Sequence, residues 1–168
     1  ILANTIPNCV SYDPTFAHEV AVIMQDGLRR MVQNQENVFY YITLLNENYP
    51  MPGLTEGTEE QIIKGMYLVK PGQKVPQSGQ RVQLLGSGTI LRESFFAQEL
   101  LEKDWGIAAD VWSCPSFNEL TRDGQDVERH NMLHPLETAK TAFVTQQLQS
   151  TQGPVIASTD YMKAYAEQ

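Results

Sequence analysis

Val82-Gln83-Leu84-Leu85-Gly86-Ser87-Gly88-Thr89-Ile90-Leu91 decides the fold: a short buried strand runs into a glycine turn and then a helix. Downstream, the helix continues to Asp104 with Leu91, Phe95, Leu100 and Leu101 inward, and Trp105-Gly106 closes it. Residues 109–114 form the next strand, and residues 115–128 read as a polar, charged loop with at most one short helical turn. His134-Pro135 opens a further helix carrying Leu136, Phe143, Val144 and Leu148, and residues 153–159 form the last strand. Strands alternating with helices imply an α/β fold with a mostly parallel sheet and right-handed crossovers.

Upstream, residues 8–12 are a short strand candidate, and Asp13-Pro14 starts a helix as N-cap and first helical residue. Phe16, Val20, Ile23, Gly27 or Leu28, and Met31 mark its apolar face. Residues 38–44 are aromatic and β-branched without alternation, which predicts a strand covered on both faces and closes a βαβ unit. The prolines and glycine of residues 46–53 make the best linker in the chain. A helix restarts at Thr58, with Gln61 completing a capping box, Glu60 and Lys64 spaced for an ion pair, and Ile62, Ile63, Met66 and Tyr67 on its apolar side. Lys70-Pro71-Gly72 ends it, and residues 76–79 make another turn.

Lys and Arg total 12 against 20 Asp and Glu, a formal charge of −8. That balance argues against nucleic acid or an anionic membrane as the main partner and fits a soluble cytoplasmic protein. Cys9 and Cys114 are the two cysteines, both inside apolar runs, so two buried thiols are expected rather than a disulfide framework or a zinc site. Nothing approaches the roughly 20 apolar residues of a membrane span, and no signal-peptide pattern opens the chain. It begins Ile1-Leu2-Ala3-Asn4 without Met and ends inside an apparently continuing element, which leads us to expect a piece of a longer polypeptide.

Gly86-Ser87-Gly88 stands where a nucleotide-binding loop would, between strand and helix. Leu91 occupies the place of the third glycine, without which the helix should not pack as closely on the strand, and no acid follows at a suitable strand end. A tight turn with an occasional anion is the expectation. His130 and His134, four apart, could share a metal on a helix, but Pro135 and the missing zincin glutamate point to a cap or a buried hydrogen-bonding group instead. His18 reads as an exposed helical residue, and Asp123, Asp126 and Glu128 as a solvated loop that does not fit a calcium loop.

Residues 5–14 (TIPNCVSYDP), 41–49 (YITLLNENY), 123–126 (DGQD), 131–137 (NMLHPLE) and 157–163 (ASTDYMK) closely resemble the homodimeric bacterial pyruvate dehydrogenase E1 family of transketolase-like, thiamine-diphosphate-dependent enzymes. The resemblance covers essentially the whole chain. It implies that residues 1–55 are the end of a pyrimidine-binding domain. Residues 56–168 would be a truncated, Rossmann-like transketolase C-terminal domain. The implied reaction is oxidative decarboxylation of pyruvate with reductive acetylation of a lipoyl group on the E2 dihydrolipoyl acetyltransferase, by a homodimer. The implied thiamine diphosphate and Mg²⁺ would be held by parts of the family polypeptide outside this chain, so no catalytic or metal-binding residue is carried over and the chain alone should be inactive. Related transketolases grip a substrate phosphate with a basic residue in a strand-end segment. Here that segment reads Leu45-Asn46-Glu47-Asn48-Tyr49-Pro50 without a cation, which favours a small 2-oxo acid and makes Asn46, Glu47 and Asn48 substrate-channel candidates. The alternatives are a non-catalytic dimerisation or regulatory module and another transketolase-like 2-oxo-acid dehydrogenase.

Overall fold

The structure, a computed structural model, describes residues 2–73 and 78–167. Strands β1 (Cys9–Tyr12) and β2 (Phe39–Ile42) pair in parallel, with helix α1 (Ala17–Leu28) and one π-helical turn between them. A four-stranded sheet follows, ordered β3 (Tyr67–Lys70), β5 (Ala108–Ser113), β4 (Arg81–Gly86), β6 (Val155–Ser158). β4, β5 and β6 run parallel, and β3 is antiparallel at the edge. Helices α2 (Glu59–Lys64), α3 (Ile90–Asp104), α4 (Phe117–Leu133), α5 (Phe143–Leu148) and α6 (Ala164–Glu167) complete the fold.

β4 explains the layering. Val82 and Leu84 point to one face and pack with Phe16, Leu91, Ala109 and Val111 on the α3 side. Leu85 points to the other and packs with Trp112, Phe117, Leu120, Phe143 and Tyr165. Both faces are covered, which is why this strand reads as an unbroken apolar run. Gln83 is the polar exception. Fully buried, it accepts from Trp112 Nε1 at 2.8 Å and donates to Asp110 at 2.9 Å. Burial works against the Asp110 charge, but the Gly72 N–H, Arg81 and Gln83 hold its carboxyl below the usual carboxylate range. A third cluster joins Val10, Tyr12, Val22 and Ile23 to Ile62 and Tyr67, so elements on both sides of the proline-rich linker share one core.

Several expected elements move. Asp13 does not cap α1, which starts at Ala17 after Phe16. The buried face of α1 is Glu19, Val22, Ile23, Asp26 and Gly27, while Leu28 is exposed. The spacing is helical, but two acids sit in it, and Asp26 is buried because it receives the Tyr40 hydroxyl and pairs with Arg29. β2 is covered on one face only among the described residues, with Phe39 and Tyr41 exposed. Thr58 precedes α2 without a side-chain cap, since its hydroxyl donates to the Thr55 carbonyl. The Lys64–Glu60 pair forms at 2.7 Å. α2 then stops at Gly65 rather than near Lys70, because the Gly65 N–H closes on the Gln61 and Ile62 carbonyls and the chain turns into β3. In α3, Leu100 is exposed, and Ser94 and Gln98 are buried in its place.

The largest difference is α4, seventeen residues where a loop was expected. Ser116 accepts from the Glu119 N–H at 3.0 Å, and Phe117, Leu120 and Thr121 form the buried face. The helix ends at His134, and the expected helix from Pro135 is instead coil until α5, whose first residue Phe143 donates its N–H to Asp123 at 2.6 Å. Of the expected turn at 76–79, residues 76 and 77 lie outside the described residues, and Ser78 bonds the Gly106 carbonyl.

Candidate functional site

The parallel strands deliver their carboxyl ends to one place. β4 leads into α3 on one face of the sheet, whereas β6 leads to α6, whose Tyr165 packs on Phe117 of α4 on the other. The ends of β4 and β6 therefore flank a point where the winding direction reverses, the position at which open α/β sheets form a crevice. A cavity of about 600 Å³ lies there, lined by Ile90, Thr159, Tyr161 and Lys163 among others.

Asp13, one residue beyond β1, ties the two sheets together. Its N–H donates to the Pro115 carbonyl at 2.7 Å, just past β5, and its carbonyl accepts from the Gly88 N–H at 3.0 Å. The carboxylate accepts from the Ser87 hydroxyl at 3.0 Å and from Thr43, one residue beyond β2. Ser87 also meets the Thr159 hydroxyl, one residue beyond β6, at 3.2 Å. Burial and then the Asp13 charge push the Tyr161 and Tyr165 phenols above their usual range, so both stay neutral beside it. The assembly is a hydroxyl-rich cluster around one carboxylate.

Gly86, Ser87 and Gly88 lie inside this cluster. Gly88 takes a left-handed φ of +50°, and a Cβ there would stand 2.6 Å from Asp13 Oδ2. An anion in the turn would face that carboxylate, and the Gly88 N–H and the Ser87 hydroxyl are both committed to Asp13. The helix does pack closely on the strand despite the missing third glycine. Gly86 permits it, since a Cβ at that position would lie 2.8 Å from the Leu91 Cα.

Asn46, Glu47 and Asn48 lie on the exposed coil after β2. Glu47 pairs with Arg92 in the first turn of α3, and the Arg92 guanidinium lies over the Tyr49 ring, 4.5 Å from its centroid. The segment itself carries no cation, but α3 brings one to it. Glu47 and the glycine turn thus meet the same helix end, while Asn46 and Asn48 are exposed.

His18, Glu19 and Tyr67 form a group that no spacing in the sequence marks. Glu19 is fully buried and accepts from the Thr15 N–H at 2.6 Å, the Phe16 N–H at 3.0 Å, the Tyr67 hydroxyl at 2.8 Å and the Ser113 hydroxyl at 2.6 Å. His18 is partly buried rather than simply exposed, and both of its ring nitrogens have partners. The acid in the first turn of α1 was the one signal available; its partners come from distant elements. His130 and His134 end α4 with rings stacked 4.5 Å apart and share Glu137, at 3.5 and 3.0 Å. Asp123, Asp126 and Glu128 belong to α4 rather than to a loop. Among the described residues no three His, Cys, Asp or Glu side chains are grouped to hold a metal ion, and no helix is long and apolar enough to cross a membrane.

The winding defines a doubly wound α/β protein with its crevice at the ends of β4 and β6. The chain belongs to the transketolase-like TK C-terminal domain family, whose model matches residues 65–168, and the pyruvate dehydrogenase E1 component middle domain matches residues 1–52. It is 58% identical over 97% of its length to the pyruvate dehydrogenase E1 component of Cupriavidus necator. It is 58% identical over its full length to that of Pseudomonas aeruginosa, and 58% over 98% of its length to that of Escherichia coli K12. The chain spans only 18–19% of the length of these relatives.

Proposed function

We propose that the chain is part of a pyruvate dehydrogenase E1 component. Residues 1–55 end its pyrimidine-binding domain, and residues 56–168 belong to its C-terminal domain. The whole cytoplasmic enzyme, a homodimer, decarboxylates pyruvate oxidatively and acetylates the lipoyl group of its E2 partner. One observation carries this reading: the 58% identity extends over 163 residues, 97% of the chain, and so takes in both family-matched segments.

Thiamine diphosphate with Mg²⁺ supplies the decarboxylation chemistry in that class of enzyme. The residues of the glycine turn do not fit the diphosphate, and no metal-holding group stands among the described residues. The glycine turn after β4 has the Asp13 carboxylate against it, which would repel a diphosphate, and its Gly88 N–H is already bonded. The chain's own contribution is therefore to shape and support. Asn46, Glu47 and Asn48 face the substrate channel. Arg92, the cation nearest them by its pairing, is neutralised by Glu47 and covered on one side by Tyr49, which suits a small 2-oxo acid and offers no grip for a phosphate. Gly86, Ser87 and Gly88 hold the sheet that supports the dimer.

The full-length polypeptide carrying this chain is expected to release CO₂ from pyruvate only with thiamine diphosphate and Mg²⁺, and to acetylate a lipoyl acceptor. Failure to turn over pyruvate, or preference for a sugar phosphate, overturns the reading. In the same protein, joint substitution of Asn46→Ala, Glu47→Ala and Asn48→Ala should lower kcat/KM for pyruvate about tenfold, or about 1.4 kcal/mol of transition-state stabilisation. Unchanged pyruvate kinetics would sink the channel assignment while leaving the enzyme assignment standing.

A further inference from the structure

The coil between β2 and α2, residues 43–58, lies as a strap across the starts of α1 and α3. Beyond Thr43, which bonds Asp13 at its start, side-chain contacts at positions 47, 49 and 52 hold it there. Glu47 pairs with Arg92, the Tyr49 hydroxyl donates to the Thr15 carbonyl, and the Pro52 carbonyl meets His18 Nδ1 at 3.0 Å. The last of these depends on where the hydrogens are.

A carbonyl oxygen only accepts, so His18 Nδ1 must carry a hydrogen to bond Pro52. On the other side of the ring, His18 Nε2 lies 2.9 Å from the Tyr67 hydroxyl oxygen. That hydroxyl has a single hydrogen, and it is donated to Glu19 Oε1 at 2.8 Å. The same carboxylate oxygen receives the Ser113 hydroxyl, and its twin receives two backbone N–H groups. Tyr67 therefore offers the ring a lone pair, and Nε2 needs a hydrogen as well. Two donors from one imidazole are available only in the imidazolium form. The Phe16 ring lies nearly flat against it, with centroids 5.5 Å apart and 17° between planes, the placement in which an aromatic face attracts a cation.

We propose that His18 is a protonation-dependent latch on this strap. With both protons the ring bridges Pro52 to the buried Tyr67–Glu19 pair. When one proton leaves to water, a bare nitrogen lone pair faces either the Pro52 carbonyl or the Tyr67 oxygen. Tyr67 can turn its hydrogen to the ring only by withdrawing it from Glu19. Either outcome costs the set one hydrogen bond, and the exposed bond to the strap is the one that gives way.

The charged and titratable groups around the ring are few. Glu19 stands beside it on α1. Tyr67 comes from β3, kept neutral because burial, and next the Glu19 charge, raise its phenol well above the usual range. Behind Phe16 lies Phe95, with the Lys70 ammonium 5.8 Å from that ring. Cys114, after β5, is kept a thiol by burial and the Glu19 charge. The strap brings Glu47 and Tyr49, with Arg92 of α3 between them. Among these side-chain types, histidine is the one that exchanges its proton near neutral pH.

The latch can be read by hydrogen–deuterium exchange of peptides spanning residues 43–58 in the full-length polypeptide, at about pH 5.5 and about pH 8.5, either side of the usual histidine range. After correction for intrinsic exchange rates, strap amides should exchange about tenfold more slowly at the lower pH, the factor given by about 1.4 kcal/mol from one charge-assisted hydrogen bond. His18→Gln should abolish the pH response while leaving peptides from β1 and β4 unchanged. Tyr67→Phe removes the oxygen that demands the second hydrogen, so a neutral His18 can serve Pro52 alone and the strap should stay protected at both pH values. Equal corrected protection in the unsubstituted protein at both pH values overturns the latch, as does an undiminished pH response in either variant. Since exchange is read without turnover, failure here is distinct from failure of the enzyme assignment.

Discussion

Replacing Glu19 by alanine is expected to destabilise the folded 168-residue chain by about 3–5 kcal/mol, a large share of the roughly 5–15 kcal/mol typical of a domain. The substitution leaves four donors without an acceptor: the Thr15 and Phe16 N–H groups at the start of α1, and the Tyr67 and Ser113 hydroxyls from two strands. Each buried unmet donor costs about 1–3 kcal/mol, and the hydroxyls recover part of that by rotating toward other acceptors. Glu19→Gln should cost much less, about 1–2 kcal/mol. Its carbonyl can take the two N–H groups, and its amide can donate to hydroxyls that turn around to accept. Urea unfolding of both variants gives the comparison. If alanine and glutamine cost the same, the four-donor account fails, because the loss would then come from charge alone.

How much of this was legible in the chain follows from how far apart the interacting residues lie. β4 was legible because burial on both faces leaves a continuous apolar run, and α3 because it follows that run through a glycine turn. α4 was missed because Gly124 and a run of charged residues hide its periodicity. Its start was nevertheless written in Ser116 and Glu119, a capping pair three apart, followed by Phe117, Leu120 and Thr121 at helical spacing. β3 passes for more helix in the sequence because Met66 and Tyr67 continue the spacing of Ile62 and Ile63, and only Gly65 marks the break. The strand-end cluster had no local signature. Thr43, Ser87 and Thr159 are ordinary hydroxyl residues until the sheet order brings their strand ends to Asp13. Glu19 was visible as an acid in a first helical turn, but its hydroxyl donors lie 48 and 94 positions away.

Gly88→Ala should destabilise the chain by about 2–4 kcal/mol, and the reason joins the glycine turn to Asp13. Part of the cost is backbone: a left-handed φ of +50° disfavours any residue with a Cβ, by about 1–2 kcal/mol. The rest is contact. The new methyl would stand 2.6 Å from Asp13 Oδ2 and 2.9 Å from its carboxyl carbon, closer than real Cβ atoms come. Asp13 is buried, and moving its carboxylate weakens the bonds from Ser87 and Thr43 that hold the ends of β4 and β2 to the end of β1. Backbone strain and contact can be separated by a double-mutant cycle. Asp13→Ala alone loses those bonds, but it also removes the obstacle, so Gly88→Ala added to it should cost only the backbone share. A coupling of about 1 kcal/mol or more between the two sites is expected. Additive effects in urea unfolding would mean that the carboxylate does not occupy the space over the turn. The charge objection to an anion at Gly86-Ser87-Gly88 would then fall with it, leaving only the Gly88 N–H, which is bonded to the Asp13 main-chain carbonyl.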